Sequence, residues 1–421
     1  MSVEEIESAQ TKGRFQATRT LIDTRFGGLP RPFWILWSGT LINRFGTMVI
    51  PFLSYYLSGG RNFSATEVGA VLAVLGAGGV VSQPVGGAIA DRFGRRVALT
   101  GGMLVTAAAM IGLGYARHTA VIVVLAFALG VAMDLFRPAS QAIVADLIPA
   151  EHRPRAFGML LWAVNLGFSL SMAIGGALAR QGFLTLFWID AMTCVLFGVL
   201  VWRGVPEQRV DRAPGAAGGR ATDVLRDRVM VAFVVVTLLC AFVFMQALTT
   251  LPLAMEQDSL PTSSYGLVMA LNGLTIVLLQ PLLGHRLSHL DRTHGLVAGM
   301  LLMAAGNAVT AWVSSTPGYA AAVVVWTVGE VLLTSIGAAV VADLAPVELR
   351  GRYNGWYGLA WGLGSFTAPL GGTHLLTISA SLLWYVCAGL CCLAAVGQWA
   401  LRGAIRARGA TGDPAGRPDT A

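Results

Sequence analysis

The chain has 421 residues, 55% of them hydrophobic and 12% charged, with a mean hydropathy of +0.67 and a formal net charge of +7. That balance excludes an ordinary soluble domain and a disordered chain, and makes the bilayer the solvent in which the sequence is read. The basic residues are spread over alternate loops instead of one patch, which excludes a nucleic-acid surface.

Residues 1–32 are polar, lack the apolar stretch of a cleavable leader, and are expected to form a cytoplasmic segment. Spanning helices need about 20 mostly apolar residues. Twelve such stretches begin near Phe33, Glu67, Val97, Ala120, Ala156, Phe183, Val229, Tyr265, Gly295, Tyr319, Tyr353 and Ser381. The segment 205–228, with APGAAGG and several arginines, reads as a cytoplasmic linker between 33–204 and 229–402. The tail 403–421, rich in Gly, Ala, Pro and Arg, is expected to be disordered.

The two halves repeat. AIVADLIPAEHRPRAFG at 142–158 and AVVADLAPVELRGRYNG at 339–355 share ten identities in seventeen at an offset of 197. Parallel repeats of one membrane unit are an architecture of secondary transporters. The predicted fold class is therefore all-α membrane protein, twelve transmembrane helices in two pseudo-symmetric six-helix bundles. With the N-terminus inside, the external loops hold only Arg61, Arg117 and Arg180 among 29 basic residues, and Arg44 and Arg137 lie within spans. That bias places both termini in the cytoplasm. The near absence of lysine, only Lys12, points to a GC-rich bacterial source and an inner or plasma membrane. The five cysteines all fall inside spans and read as small packing residues. No Walker loop, HExxH pair, GxSxG elbow or Cys/His cluster occurs, so the chain is read as neither an enzyme nor a cofactor or metal protein.

The sharpest local motif is GGAIADRFGRR, with Gly87, Asp91, Arg92, Gly94, Arg95 and Arg96 between the second and third spans. Glycines here allow close helix approach and a turn, Asp91 can cap a helix, and the arginines seek carboxylates. The motif resembles the Gly-x-x-x-Asp-Arg-x-Gly-Arg-Arg signature of the major facilitator superfamily, and with the twelve spans the resemblance covers essentially the whole chain. It implies that the loop latches one conformational state, Asp146 pairing with Arg95 and Asp91 capping the eleventh span. Asp343 is the repeat counterpart of Asp146, but the second-half loop GHRLSHLDR is a worn copy, so an asymmetric latch is expected.

Ionisable residues within spans carry the functional argument, because a charge at mid-bilayer costs about 2.5–3.5 kcal/mol on insertion scales. Arg44 lies in the first span, Asp134 and Arg137 in the fourth, Glu330 in the tenth and Asp190 in the sixth. The resemblance implies that the first, fourth, seventh and tenth spans line a central cavity, which makes Asp190 the weaker candidate. Asp134 and Arg137 are three residues apart and can pair on one helix face. Glu330 has no cation near it on its own helix, so it is the expected proton carrier, with Arg44 switching between Glu330 and Asp134. Asn43, Tyr55, Trp162, Asn165, Gln246, Asn272, Gln280, Trp326, Trp356, Tyr357 and Trp361 are candidates for an amphipathic substrate cavity.

The family's drug exporters carry Gly-Pro-x-x-Gly-Gly in the fifth span. SMAIGG at 171–176 lacks the proline, and Ala368–Gly372 in the eleventh span is closer. Arg137 with Gln141 loosely matches the exporters' Arg-x-x-Gln. The expected function is a proton-coupled secondary transporter that exports amphipathic small molecules or drugs, acting on a small-molecule substrate, protons and membrane lipid as a monomer. Two alternatives stay open. One is a proton-coupled importer of peptides or other small solutes, whose Glu-Arg-Phe element is matched only by Arg44 and Phe45. The other is a lipid or lysolipid mover.

Overall fold

A computed structural model describes residues 29–135, 140, 141, 143, 144, 147–206, 221–287, 291–346 and 349–411. Every regular element among them is a helix. The first half comprises α1 (Arg31–Gly46), α2 (Val49–Tyr55), α3 (Ala65–Phe93), α4 (Arg95–Tyr115), α5 (Thr119–Asp134), α6 (Arg153–Ala179) and α7 (Phe183–Gly204). The second comprises α8 (Arg228–Thr249), α9 (Leu251–Gln257), α10 (Thr262–Leu287), α11 (Arg292–Thr310), α12 (Thr316–Leu344), α13 (Arg350–Ile378) and α14 (Ala380–Ala400), followed by α15 (Arg402–Thr411).

The repeat is legible in the helices themselves. α1, α3, α4, α5, α6 and α7 begin at 31, 65, 95, 119, 153 and 183, and α8, α10, α11, α12, α13 and α14 each begin 197 residues later. Local chemistry explains several of these starts. Ser64 and Glu67 form a reciprocal capping box, the Ser64 N–H and hydroxyl donating to Glu67 Oε2 at 2.8 Å each. Asp227 accepts from the N–H groups of Val229 and Met230 at the head of α8, and Asp291 from His294 N–H at the head of α11.

Among the described residues, eight helices are long and apolar enough to cross a bilayer by length and composition. Twelve stretches were expected. Of the remaining four, the first span is split into α1 and α2, and α5 reads as a shorter apolar helix, Thr119–Met133. α11 and α13 are glycine-rich and interrupted by polar residues.

Within each half the same neighbours meet: α1 with α6, α3 with α5 and α4 with α7, matched by α8 with α13, α10 with α12 and α11 with α14. The halves join along α3 with α13 and α6 with α10, which are exchanged by the repeat. Small residues make this approach possible. A Cβ on Gly76 of α3 would lie 2.4 Å from the Ser365 carbonyl oxygen, and one on Gly266 of α10 would lie 2.5 Å from that of Met172.

One end of the molecule carries the connections after α2, α4, α6, α9, α11 and α13, and there the halves share a core. A single buried cluster runs from Met48, Phe52, Leu53 and Tyr55 into Tyr265, Val268 and the rest of the second half. A separate cluster, including Phe33, Leu36, Leu99, Phe197 and Val201, belongs to the first half alone.

The expectation of disorder from 403 onward is corrected for its first part. α15 is helical, with Ile405 buried, because Arg406 Nε donates to Asp291 Oδ2 at 2.9 Å and Arg408 forks onto Asp227. The cap aspartates of α11 and α8 thus hold a segment whose composition alone suggests no order.

Candidate functional site

α12 is apolar almost throughout apart from Asp343 near its end, so the carboxylate at its middle stands out. Glu330 is 8% exposed at the middle of that helix. Asn272 of α10 donates to Glu330 Oε2 and to Thr327 Oγ1, both at 2.8 Å, while Thr327 donates to the Val323 carbonyl at 2.6 Å. Among the described residues no cation is paired with this carboxylate. The repeat counterparts of Asn272, Thr327 and Glu330 are Leu75, Gly130 and Met133, so the polar cluster belongs to the second half only.

Glu330 lines a narrow, partly open space. Phe233, Thr237, Cys240 and Phe244 of α8 line it, with Met300 and Met303 of α11, Thr334 of α12, and Tyr357 and Trp361 of α13. Phe233 and Tyr357 stack at 6.2 Å with an interplanar angle of 13°, and Phe244 meets Trp361 edge-on at 5.3 Å. A second narrow space adjoins it across Phe244 and Met303, lined also by Gln246, Asn307, Thr310, Trp326 and Trp384. Both lie among helices of the second half. The expectation was a hollow shared by the first, fourth, seventh and tenth spans, whereas these spaces are enclosed by spans seven, nine, ten, eleven and twelve.

The other proposed cavity residues are distributed as follows. Gln246 is 1% exposed, donates to the Phe242 and Ala368 carbonyls, and accepts from Thr250 at 2.7 Å. Trp326, Tyr357 and Trp361 line the two spaces, and Trp356 is half-buried on α13. Asn43 turns into the first bundle, donating to Cys194 Sγ at 3.3 Å, because α1 presents it to α7. Asn165 donates to its own helix at Leu161, Trp162 is exposed, and Gln280 is half-buried on α10. Tyr55 is buried edge-on against Tyr265, its hydroxyl without a hydrogen-bond partner.

Of the coupling candidates, Arg137 lies outside the described residues, and of Asp134 only its place at the end of α5 is described. Arg44 packs on Gly167 of α6, and its charge lies within coulombic reach of Asp190. Asp190, ranked lower on the sequence, is 1% exposed and accepts from the Met48 and Val49 N–H groups at 3.2 Å each.

For the latch, Gly87 and Asp91 lie on α3 with nothing further described, and Asp146 lies outside the described residues. Gly94 has φ +95°, a value that favours glycine, and it precedes α4. Arg92 sits over Phe93, and Arg96 over Trp202 at 4.5 Å. In the second half Asp343 forms an ion pair with Arg292. These are the repeat counterparts of Asp146 and Arg95. The worn loop therefore keeps a charge pair at these positions.

One set of contacts between the halves was not read from the sequence. Tyr265 is fully buried beneath Phe52 and Tyr55, at 5.5 and 5.7 Å between ring centres. Ser54 Oγ donates to the Thr249 carbonyl at 3.0 Å, and Ser58 Oγ to Glu256 Oε2 at 2.7 Å. These contacts tie α2 to the second half. Tyr55 was assigned to a substrate cavity, and Phe52 and Tyr265 were passed over because aromatic residues near span ends are common.

The family model for the Major Facilitator Superfamily matches residues 36–263 and 254–418. A Na(+), Li(+), K(+)/H(+) antiporter of Planococcus maritimus is 26% identical over 77% of this chain and 84% of its own length. The multidrug resistance protein MdtH of Aeromonas salmonicida is 24% identical over 81% of this chain and 87% of its own. Among solved structures, peptide transporter POT in complex with sulfate superposes with a TM-score of 0.77 at 17% identity, covering 91% of this chain and 96% of that one. The duplicated twelve-span architecture and the family match over the whole chain agree: this is a multi-pass membrane transporter belonging to the major facilitator superfamily.

Proposed function

We propose that the chain is a proton-coupled secondary transporter that exports amphipathic small molecules by alternating access, with Glu330 as the group that exchanges a proton for substrate. One observation carries this reading. A carboxylate at mid-helix, held by an amide and not by a cation, opens on a cavity whose walls are aromatic rings and methionines. Such walls accept bulky apolar bodies and adapt to several shapes. A proton moving inward delivers about 2.3 kcal/mol per 100 mV of potential, enough to drive expulsion of a substrate against its gradient. The names of the two relatives, a multidrug resistance protein and a cation/proton antiporter, support export.

In this reading both termini and the linker 205–228 face the cytoplasm of a bacterial inner membrane. The bundles 33–204 and 229–402 rock about α3, α13, α6 and α10, and the protein works as a monomer. The end closed by Tyr265 is then the outer end. The Asp91 loop, with Arg95 and Asp146, latches the opposite, outward-facing state at the cytoplasmic end.

The test is flux of a lipophilic cationic dye in proteoliposomes, with and without an imposed pH gradient. Gradient-driven flux that is abolished in Glu330→Gln supports the proposal. Flux indifferent to the gradient and to Glu330→Gln overturns it.

A further inference from the structure

The first span is broken, and its sequence says where. Pro51 has no N–H to give to the carbonyl four residues earlier, that of Thr47, and its ring crowds that carbonyl, so a continuous helix cannot pass. α1 ends at Gly46 and α2 begins at Val49. The groups freed by the break are taken up from two sides. Ser171 of α6 donates to the Thr47 carbonyl at 2.8 Å, and Asp190 of α7 accepts from the Met48 and Val49 N–H groups. Cys194 donates to the other Asp190 oxygen at 3.8 Å.

The repeat provides an internal control. Asn43, Arg44, Asp190 and Cys194 correspond to Cys240, Ala241, Cys387 and Cys391, and Pro51 corresponds to Leu248. Packing at this level is the same in both halves: a Cβ on Gly167 would meet Arg44 Cβ at 2.7 Å, and one on its counterpart Gly364 would meet Ala241 Cβ at 2.6 Å. Yet α8 runs unbroken through Phe244 and Met245, the counterparts of Thr47 and Met48, and ends only at Thr249. The bundle therefore closes without ions at this place. The carboxylate accompanies the break.

The contacts of α2 with the second half begin directly after the break. Phe52, Ser54, Tyr55 and Ser58, which contact Tyr265, Thr249 and Glu256, all lie on α2 or the π-turn after it. We infer that Asp190 is a positioning residue: by holding the Met48 and Val49 amides it sets the direction of α2, and so closes this end of the transporter. Asp190 would play this part whether or not Glu330 carries a proton.

Spin labels at Thr66→Cys and Gln257→Cys, with Cys392→Ser removing the exposed native thiol, report the separation of the halves at the gate. Asp190→Cys, which copies Cys387 of the other half, is expected to move the population at least tenfold toward the longer distance. Asp190→Asn, which keeps an acceptor oxygen, is expected to hold the short one. An unchanged distribution in Asp190→Cys, or opening as large in Asp190→Asn, overturns the inference. If Asp190→Cys fails to fold, hydrogen exchange of the unsubstituted protein decides. Protection of the Met48 and Val49 amides supports the assignment, and exchange as fast as in an open loop refutes it.

Discussion

Gly266→Ala offers a quantitative check on which end of the molecule moves. The added methyl would sit 2.5 Å from the Met172 carbonyl oxygen and 2.9 Å from Gly176 Cα, where ordinary contact begins near 3.4 Å. α10 and α6 must therefore separate by roughly an ångström at their facing turns, a distortion of the kind that costs about 1–3 kcal/mol in packed interiors. The helix propensity gained on replacing Gly by Ala is present in both conformations and cancels. If the gate end opens during transport, the strain exists only in the closed state. At 1.4 kcal/mol per decade the open population then rises about 5- to 150-fold. Single-molecule energy transfer between dyes at Gln181→Cys and Gln257→Cys, both exposed near the gate, reads that shift directly. Gly158→Ala on the same helix as Met172, where the methyl meets nothing within 4 Å, is the control and should change nothing. A folded Gly266→Ala protein with an unaltered distribution would refute the reasoning.

Asn272→Leu copies the first-half residue Leu75 and strips Glu330 of its donor; losing a hydrogen bond to a charged group costs about 1.5–3 kcal/mol, and a double-mutant cycle with Glu330→Gln should show strong non-additivity in gradient-driven flux. Arg292→Asp or Asp343→Arg alone should impair flux, and the two together should restore it, since the pair and not either charge is what α11 and α12 share. α15 should stay docked from pH 8 to 5. Burial pushes the Asp291 carboxyl up, but bonds from the His294 N–H, Arg406 and the His294 ring outweigh it and hold it at about 2, and Asp227 is likewise below its ordinary value. A depressed carboxylate contributes fully above the ordinary value of 3.8 and loses its contribution as pH falls through about 2. The mobility of a spin label at Gly403→Cys checks this, and release near pH 6 would contradict it.

Much of the architecture was readable because the apolar stretches and the 197-residue offset agree. Glu330 was readable because a lone carboxylate in an apolar span is costly. Helix rotation was not readable. A span that is apolar on every face gives no moment to orient it, so Asn43 could be assigned to a cavity although it faces Cys194. The same ambiguity hid the enclosure of the Glu330 cavity within the second half. Asp190 was underrated because its partners are backbone amides freed by Pro51, more than 130 residues away in the chain. α15 was taken for disorder because its order comes from Asp227 and Asp291, not from its own composition.

Coupled export requires Glu330 to give up a proton when substrate arrives. Proton release on addition of a transported lipophilic cation to weakly buffered purified protein, followed with a pH indicator, measures that exchange without any membrane gradient. The expected result is release from the unsubstituted protein and none from Glu330→Gln, with the dye still bound by the aromatic walls. Equal release from both proteins, or none from either despite binding, would contradict proton exchange at Glu330.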